Sequence, residues 1–301
     1  MWGTCVPLFF TKKSMIKSSE LVLASDGSLY HIHLTADTLA DDVILVGDPG
    51  RVEMFKDIFE SVEHESYNRE IHALTGRYHG HRFTALSTGM GCDNIDIVVS
   101  ELDAAANIDL HQRTPKASHR SLNLVRIGTS GSLHSDVPVG SLVASKHAVG
   151  LDGLLNYYRH DPSQLNDPLN EAFIKHMQFD ACFAKPYSAD AGKELFAKVA
   201  GGMHHAVTAT APGFYAPQGR CLRIEPSIAD LNERLSTFSW NGCRLTNLEM
   251  ETSAIYGLSA IMGHQALTVC LIIANRADGT FLSDYHPQMK ETIARVLDSL
   301  A

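Results

Sequence analysis

Short apolar runs rich in β-branched residues alternate with segments of helical periodicity along most of this chain. The helical segments place apolar residues at i, i+3, i+4 and i+7, first after Asp93 and again from Met289 to Leu300. Because strands that alternate with helices form a sheet covered by helices, the pattern predicts an α/β fold around one mostly parallel or mixed sheet. The runs predicted as buried strands are VILVG at Val43, RFTALSTG at Arg82, LNLVRIGT at Leu122, GSLVASKHAVG at Gly140, HHAVTAT at His204 and ALTVCLIIA at Ala266.

The same patterning predicts one domain at residues 26–301, preceded by a loose N-terminal arm at residues 1–25. Residues 110–121 are polar, basic and without periodicity, and are interpreted as an exposed loop between a helix and a strand. We expect no domain boundary there, since the strand that follows resumes the earlier pattern. The 301 residues contain no internal repeat.

Composition excludes several classes of partner. A formal net charge of −9 disfavours nonspecific binding to nucleic acid. No run reaches the ~20 apolar residues that a membrane helix needs, and the N-terminus lacks the order of a secretory signal, so a cytoplasmic protein without membrane contact is expected. Six cysteines without a C-x-x-C pair indicate buried thiols, and no His spacing indicates a metal site.

Two strand ends carry residues suited to an anion. LVGDPGR predicts a strand, a tight turn and a helix that begins near Pro49, with Arg51 in its first turn. The alternative is an ordinary helix capped by Asp48. In VRIGTSG, Arg126 lies inside an apolar run, where a guanidinium is costly unless an anion pairs with it. Two such arginines predict a clamped phosphate.

Two further segments carry candidate binding residues. GFYAPQGR, residues 213–220, places two aromatic residues, a glutamine and an arginine within eight positions, although such a stretch is usually only a turn. NLEMETSAIYG from Asn247 is interpreted as a helix that begins with Glu249 and Glu251. These carboxylates either favour the positive helix end or bind the paired hydroxyls of a sugar.

Five separated segments together resemble the nucleoside phosphorylase family, which includes uridine phosphorylase and hexameric purine nucleoside phosphorylase. They are GDPGR, STGMGCDNIDIVVSEL, RIGTSG, EMET and IIANR, in this order from about Tyr30 to the C-terminus. The resemblance implies an α/β domain whose central mixed sheet is partly barrel-like and flanked by helices.

The resemblance also implies roles at matching positions. Those assigned to phosphate are Gly47, Arg51, Arg126 and Thr129, together with Arg69, which reaches the site of a neighbouring subunit. Those assigned to ribose are Thr129, Met250 and Glu251, together with His31 from across a dimer interface. Those assigned to the base are Phe214, Gln218, Arg220 and Arg276.

The base residues match the uridine-specific branch of the family. Uracil presents carbonyl oxygens and one N–H, which an amide and a guanidinium such as Gln218 and Arg220 complement. The purine branch uses an aspartate to protonate its leaving base, and Ala274 stands at that position. The resemblance therefore implies phosphorolysis of uridine, with catalysis assigned to Gln218, Arg220, Glu251 and Arg126.

Phosphate is then a co-substrate, and no metal or organic cofactor is expected. A working site requires a homodimer at least, and a homohexamer built as a trimer of dimers is the alternative. Asp93 and Asn94 replace the family's usual residues, which leaves a monovalent cation at the dimer interface open. Three other functions also remain open: a phosphorylase of purine or broad specificity, a hydrolytic nucleosidase, and a catalytically silent nucleoside-binding protein.

Overall fold

The computed structural model describes residues 15–301, and its centre is a mixed sheet flanked by helices. The strands are β1 (Asp42–Val46), β2 (Ser61–Asn68), β3 (Ile71–Tyr78), β4 (His81–Ser87), β5 (Ile108–Asp109), β6 (Thr114–Pro115), β7 (Asn123–Ser132), β8 (Leu142–Gly150), β9 (Tyr187–Asp190), β10 (His204–Thr210), β11 (Ser239–Trp240), β12 (Cys243–Glu249) and β13 (Gln265–Asn275). The helices are α1 (Pro49–Glu53), α2 (Cys92–Asn107), α3 (Asp167–Met177), α4 (Lys193–Val199), α5 (Leu231–Thr237), α6 (Thr252–Met262) and α7 (His286–Leu300). All six predicted strands are present.

Part of the sheet closes on itself. Its order is β11-β12-β10-β8-β13-β7-β1-β4-β3-β2, with β9 on β8, and a further pairing between β12 and β7 closes five of these strands into a barrel. Strand β1 runs parallel to β4 and β7, and β13 runs parallel to β7 but antiparallel to β8. The predicted α/β fold with a mixed, partly barrel-like sheet is confirmed.

Strand β7 is the hub of this arrangement, because it pairs with β1, β13 and β12. The register sets Leu45 of β1 opposite Arg126, and Ala274 of β13 opposite Gly131. The end of β1, the second half of β7 and the end of β13 are therefore neighbours in space. Residues far apart in the sequence are thus brought to one region of the barrel.

The helices cover the sheet with the apolar faces that the periodicity predicts. Ile95, Val98 and Leu102 of α2 have no exposed surface, and neither do Met289 and Ile293 of α7. Burial of such faces, worth roughly 25 cal/mol for each Å² of apolar surface removed from water, drives the packing of amphipathic helices. Among residues 15–301, no helix combines the length and the apolar character that crossing a bilayer would require.

Residues 1–14 of the predicted N-terminal arm, including Cys5, lie outside the described residues. The rest of the arm contacts the domain. Leu21 is buried in the main core, and the amide of Ile16 donates to the carbonyl of Arg113 at 2.8 Å. Arg113 in turn donates its guanidinium to the Leu21 carbonyl. Residues 16–21 are therefore packed against the loop at residues 110–121.

Two sequence-based expectations need correction. The segment from Asn247 does not begin a helix: Asn247–Glu249 ends strand β12, and α6 begins at Thr252. The side chains of Thr246 and Asn247 are polar but buried in the barrel. This strand therefore lacks the apolar run from which the other strands were predicted. The cysteines are not all buried either, because Cys182 and Cys221 lie exposed in loops.

Candidate active site

A cavity of about 480 Å³ opens where β1, β7, β12 and β13 end. Three of the predicted site residues, His31, Arg69 and Arg276, do not line it. The predicted residues that line it are Gly47, Arg51, Arg126, Thr129, Phe214, Gln218, Arg220, Met250 and Glu251. The sheet topology therefore brings together nine positions that span about 200 residues of sequence.

The turn after β1 forms one wall of the cavity. Asp48 caps α1, with its carboxylate accepting from the Gly50 amide at 2.9 Å, so the capped helix that was the alternative interpretation of this turn is present. Pro49 begins the helix, and Arg51 lies in its first turn with only 9% of its surface exposed. The Arg51 guanidinium donates to the carbonyl of Ile127 on β7 at 3.4 Å. This contact ties the turn to the strand that carries Arg126.

Arg126 is buried and pairs with carboxylates of its own chain. Its Nη2 donates to Glu251, and its Nη1 lies 3.4 Å from Oε2 of Glu249. Burial opposes the charge of this guanidinium, but the two carboxylates outweigh burial and raise its pKa above the ordinary value. The buried guanidinium is thus paired with Glu251 and Glu249 of its own chain, and its assignment to phosphate stays a prediction.

Both arginines retain an unused donor. Among residues 15–301, neither Nε of Arg51 nor Nε of Arg126 has a hydrogen-bond partner, although both atoms are buried. A buried donor without an acceptor costs about 1–3 kcal/mol, so such atoms are rare in proteins unless a ligand or water satisfies them. Both side chains also line the cavity, so a bound oxyanion would lie beside two guanidinium groups.

The turn between β12 and α6 carries the two glutamates. Glu249 accepts from the hydroxyl of Thr210 at 2.6 Å and from the amides of Glu251 and Thr252, so it satisfies amides at the start of α6. Glu251 accepts from the amide of Gly91 at 2.7 Å. Burial raises the pKa of Glu251, and the positive charge of Arg126 opposes that rise. Glu251 is therefore a carboxylate at the cavity wall beside Met250, held by the Gly91 amide and by Arg126.

The Gln218 turn, residues 213–220, forms the opposite end of the cavity. Gln218 is 3% exposed, and its Oε1 accepts from Nη1 of Arg220 at 2.7 Å. The Arg220 guanidinium also lies 3.9 Å from the centre of the Phe214 ring. Burial and the nearby charge of Arg276 lower the pKa of Arg220 to about 10. An aromatic face, an amide and a guanidinium therefore share this end.

The three predicted residues outside the cavity occupy two places. Arg276 lies behind the Gln218 turn and donates to the carbonyl of Gln218 at 3.3 Å. Arg69 is exposed at the tip of the β2–β3 hairpin, and His31 lies beside this hairpin, because Asn68 donates its amide to the His31 carbonyl at 3.2 Å. His31 and Arg69 therefore belong to one surface region, and their assigned roles stay predictions.

Sequence reasoning missed several residues of the site. Met90 and Phe281 line the cavity with 76% and 67% of their surface exposed, and Ile273 lines it from β13, next to Ala274, which was already singled out from the sequence. Phe281 bridges to Ala274 in an isolated β pairing, which holds its ring at the mouth. A lone phenylalanine in the polar segment RADGTFLSD was the available signal for this residue.

Among residues 15–301, two clusters outside the cavity have the composition of metal sites, namely Asp103 with His119 and His264, and Glu53 with Glu65 and His72. In the first cluster, Nδ1 of His264 accepts from the Leu122 amide at 3.2 Å, so the proton of the neutral ring is on Nε2, which then has no lone pair for a metal. In the second, the Lys56 ammonium lies 2.9 and 2.6 Å from Glu53 and Glu65. In both clusters, groups that could bind a metal are therefore already paired with other groups of the chain. The absence of a metal stays a prediction.

Comparisons with known proteins agree on one family. The sequence profile described as "Phosphorylase superfamily" matches residues 41–301. A uridine phosphorylase of Thermococcus kodakarensis is 28% identical over 272 residues, covering 88% of this chain and 83% of that protein. A DeoD-type purine nucleoside phosphorylase of Bacillus subtilis is 26% identical over 246 residues, covering 80% of this chain and 85% of that protein.

A solved structure is similar along nearly its whole length. The nucleoside phosphorylase of Trypanosoma brucei, described as showing uridine phosphorylase activity, superposes with a TM-score of 0.82 at 28% identity. The match covers 93% of this chain and 98% of that one.

Proposed function

The chain belongs to the phosphorylase superfamily, and from this premise we propose that it catalyses the phosphorolysis of uridine to uracil and ribose 1-phosphate. It is a pentosyltransferase of the nucleoside phosphorylase class, whose substrates are a nucleoside and phosphate. The observation that carries the choice of uridine is the pairing of Gln218 with Arg220 at one end of the cavity, where Ala274 offers no acid to protonate a leaving purine.

Phosphate fits the wall formed by Arg51 and Arg126. The guanidinium groups of these two residues line the same cavity, and guanidinium groups are preferred partners of phosphate oxygens. Phosphate must compete with Glu249 and Glu251 for the Arg126 guanidinium. On this proposal, Glu251 gives up its contact with Arg126 and binds the ribose hydroxyls instead. On this proposal, the ion pair seen here is the resting arrangement of the site.

The reaction then needs no acid in the base subsite. A phosphate oxygen attacks C1′ while the C1′–N1 bond breaks, and the electron pair of that bond leaves with uracil. Negative charge spreads onto a uracil carbonyl oxygen, to which Arg220 and Gln218 donate. Uracil later takes a proton from water. The phosphate charge beneath the sugar also stabilises the cationic character that develops at C1′.

A second copy of the chain completes the proposed site. Arg69 and His31 lie on one surface region outside their own cavity, which is the arrangement expected of side chains that serve the cavity of a partner. Arg69 would contact phosphate, and His31, whose Nδ1 contacts Glu101 at 2.6 Å, would reach the ribose 5′-hydroxyl through Nε2. The proposed unit is therefore a homodimer at least.

The test is phosphate-dependent release of uracil from uridine, measured alongside inosine and adenosine. We expect uracil release that requires phosphate and exceeds purine release. Release that does not require phosphate would instead identify a nucleosidase. Faster cleavage of inosine or adenosine would identify a purine or broad-specificity enzyme, and tight uridine binding without release would identify a silent binding protein.

A further inference from the structure

Three segments that are distant in the sequence meet behind the Gln218 turn. Arg276, just after β13, donates Nη1 to the Gln218 carbonyl at 3.3 Å and Nη2 to the Gly219 carbonyl at 3.5 Å. Asn232, in the first turn of α5, lies against the same backbone. The turn is therefore held from its outer side by side chains that do not line the cavity.

The amide of Asn232 bridges the other two segments. In the orientation that satisfies its neighbours, Nδ2 donates to the Gln218 carbonyl at 3.2 Å, and Oδ1 accepts from Nη2 of Arg276 at 3.2 Å. The opposite orientation would set oxygen against oxygen and donor against donor. Asn232 is thus the one side chain of this cluster that acts as donor to the turn and as acceptor for the arginine.

The fit between Asn232 and the turn is close. Gly219 has φ +68°, a left-handed conformation that glycine adopts without strain, and a Cβ added there would lie 2.7–2.9 Å from the Asn232 amide group. The turn therefore rests directly on Asn232. A shorter side chain at position 232 would leave the Gln218 carbonyl with Arg276 alone and would open space beneath Gly219.

We propose that Asn232 is a positioning residue for base recognition, which sets the direction of the Gln218 side chain by holding the backbone carbonyl of that residue. By the same contacts, Arg276 acts through the turn rather than on the base. The inference deepens the proposed function and rests on it, since Gln218 is assigned there to the departing uracil. An amide that must meet a ring edge within hydrogen-bond distance depends on the backbone that carries it.

The test compares Asn232→Ala and Asn232→Asp with the control Glu233→Gln, an exposed position on the same helix. We expect Asn232→Ala to lower kcat on uridine about tenfold while KM for phosphate changes less than about twofold, since a small displacement affects the oriented contact first. Asn232→Asp keeps an acceptor for Arg276 but has no proton for the Gln218 carbonyl. It should still fold, which circular dichroism can verify, and lose kcat as the alanine variant does.

Amide hydrogen exchange supplies a readout that does not depend on the substrate. The amides of Gln218, Gly219 and Arg220 donate within the turn, and we expect them to exchange at least about tenfold faster in Asn232→Ala but not in Glu233→Gln. Unchanged exchange, unchanged kcat, or equal losses of kcat and phosphate affinity would each overturn the inference. If exchange is faster in Asn232→Ala but the wild type does not cleave uridine, the proposed function is wrong while the role of Asn232 in holding the turn stands.

Discussion

Replacement of Gly128 by alanine should lower activity because the added Cβ would displace the Arg126 guanidinium. Gly128 lies on β7 two residues after Arg126, and a Cβ built on it would lie 2.5 Å from Cζ and 2.9 Å from Nη2 of Arg126. Ordinary contact begins at 3.4 Å, so the guanidinium would have to move by at least about 0.9 Å at Cζ and by more at Nη1, which would lie closer still to the new Cβ. The backbone of Gly128 is not left-handed, so the substitution adds no backbone strain.

The displaced guanidinium has no easy alternative position. Arg126 is held by Glu251, Glu249 and the sulfur of Cys270, and only 5% of its surface is exposed. Since a misplacement of about 1 Å can cost about 10²-fold in rate, we expect kcat/KM for phosphate to fall by about that factor. The added volume should also destabilise the fold by about 1–3 kcal/mol, which urea unfolding can measure.

A matched control lies three residues away on the same strand. Gly131 also lines the cavity, but a Cβ added there would meet its nearest neighbours at 3.8 Å, an ordinary contact that leaves Arg126 in place, so Gly131→Ala should lose far less phosphate activity than Gly128→Ala. Steady-state rates at varied phosphate, with circular dichroism to verify folding, provide the comparison. A folded Gly128→Ala enzyme with unchanged phosphate kinetics would show that Arg126 does not act where we assign it.

Three further outcomes are expected. Arg220→Ala should lower kcat on uridine by about 10²–10³-fold while KM for phosphate changes little, because it removes a donor to the leaving base, and equal effects on both would show a wrong assignment. The pKa of Glu251 is raised above 4.5, and the carboxylate loses its charge as pH falls through that pKa. We therefore expect kcat/KM for uridine, measured at saturating phosphate, to decline on the acidic side already above pH 4.5. A decline only below pH 4.5 would contradict this role. Arg69→Ala and Arg126→Ala, each nearly inactive alone, should regain about a quarter of wild-type activity when co-assembled, because half of the dimers are mixed and one of their two sites is intact; no recovery would argue against a shared site.

Much of the architecture could be read from local pattern. VILVG has no polar residue and ALTVCLIIA has only Thr268, which is buried, so both runs are stable only inside a sheet. The periodicity of α2 and α7 indicates which faces these helices bury. The barrel strand β12 could not be read in this way. Its Thr246 and Asn247 face polar neighbours, with Asn247 donating to Ser130 at 2.9 Å, and these partners are known only once β7 and β10 lie beside it.

For the site, the sequence by itself determined which chemical groups are available. A guanidinium inside an apolar strand needs an anion wherever that strand goes, and QGR at residues 218–220 places an amide and a guanidinium two residues apart in any fold. These statements depend on side-chain chemistry and on short stretches of backbone, so they hold before the chain folds.

Only the tertiary structure decided which groups contact one another and which predicted residues lie outside the cavity. It pairs Arg126 with Glu251 across 125 residues, sets Asn232 behind Gln218, and turns Arg276 away from the cavity toward backbone carbonyls. Such contacts arise because the closure of β7 against β12 brings distant segments within a few ångströms of one another. Strand pairing between remote positions has no local signature in the chain, and the geometry of the site follows from that pairing.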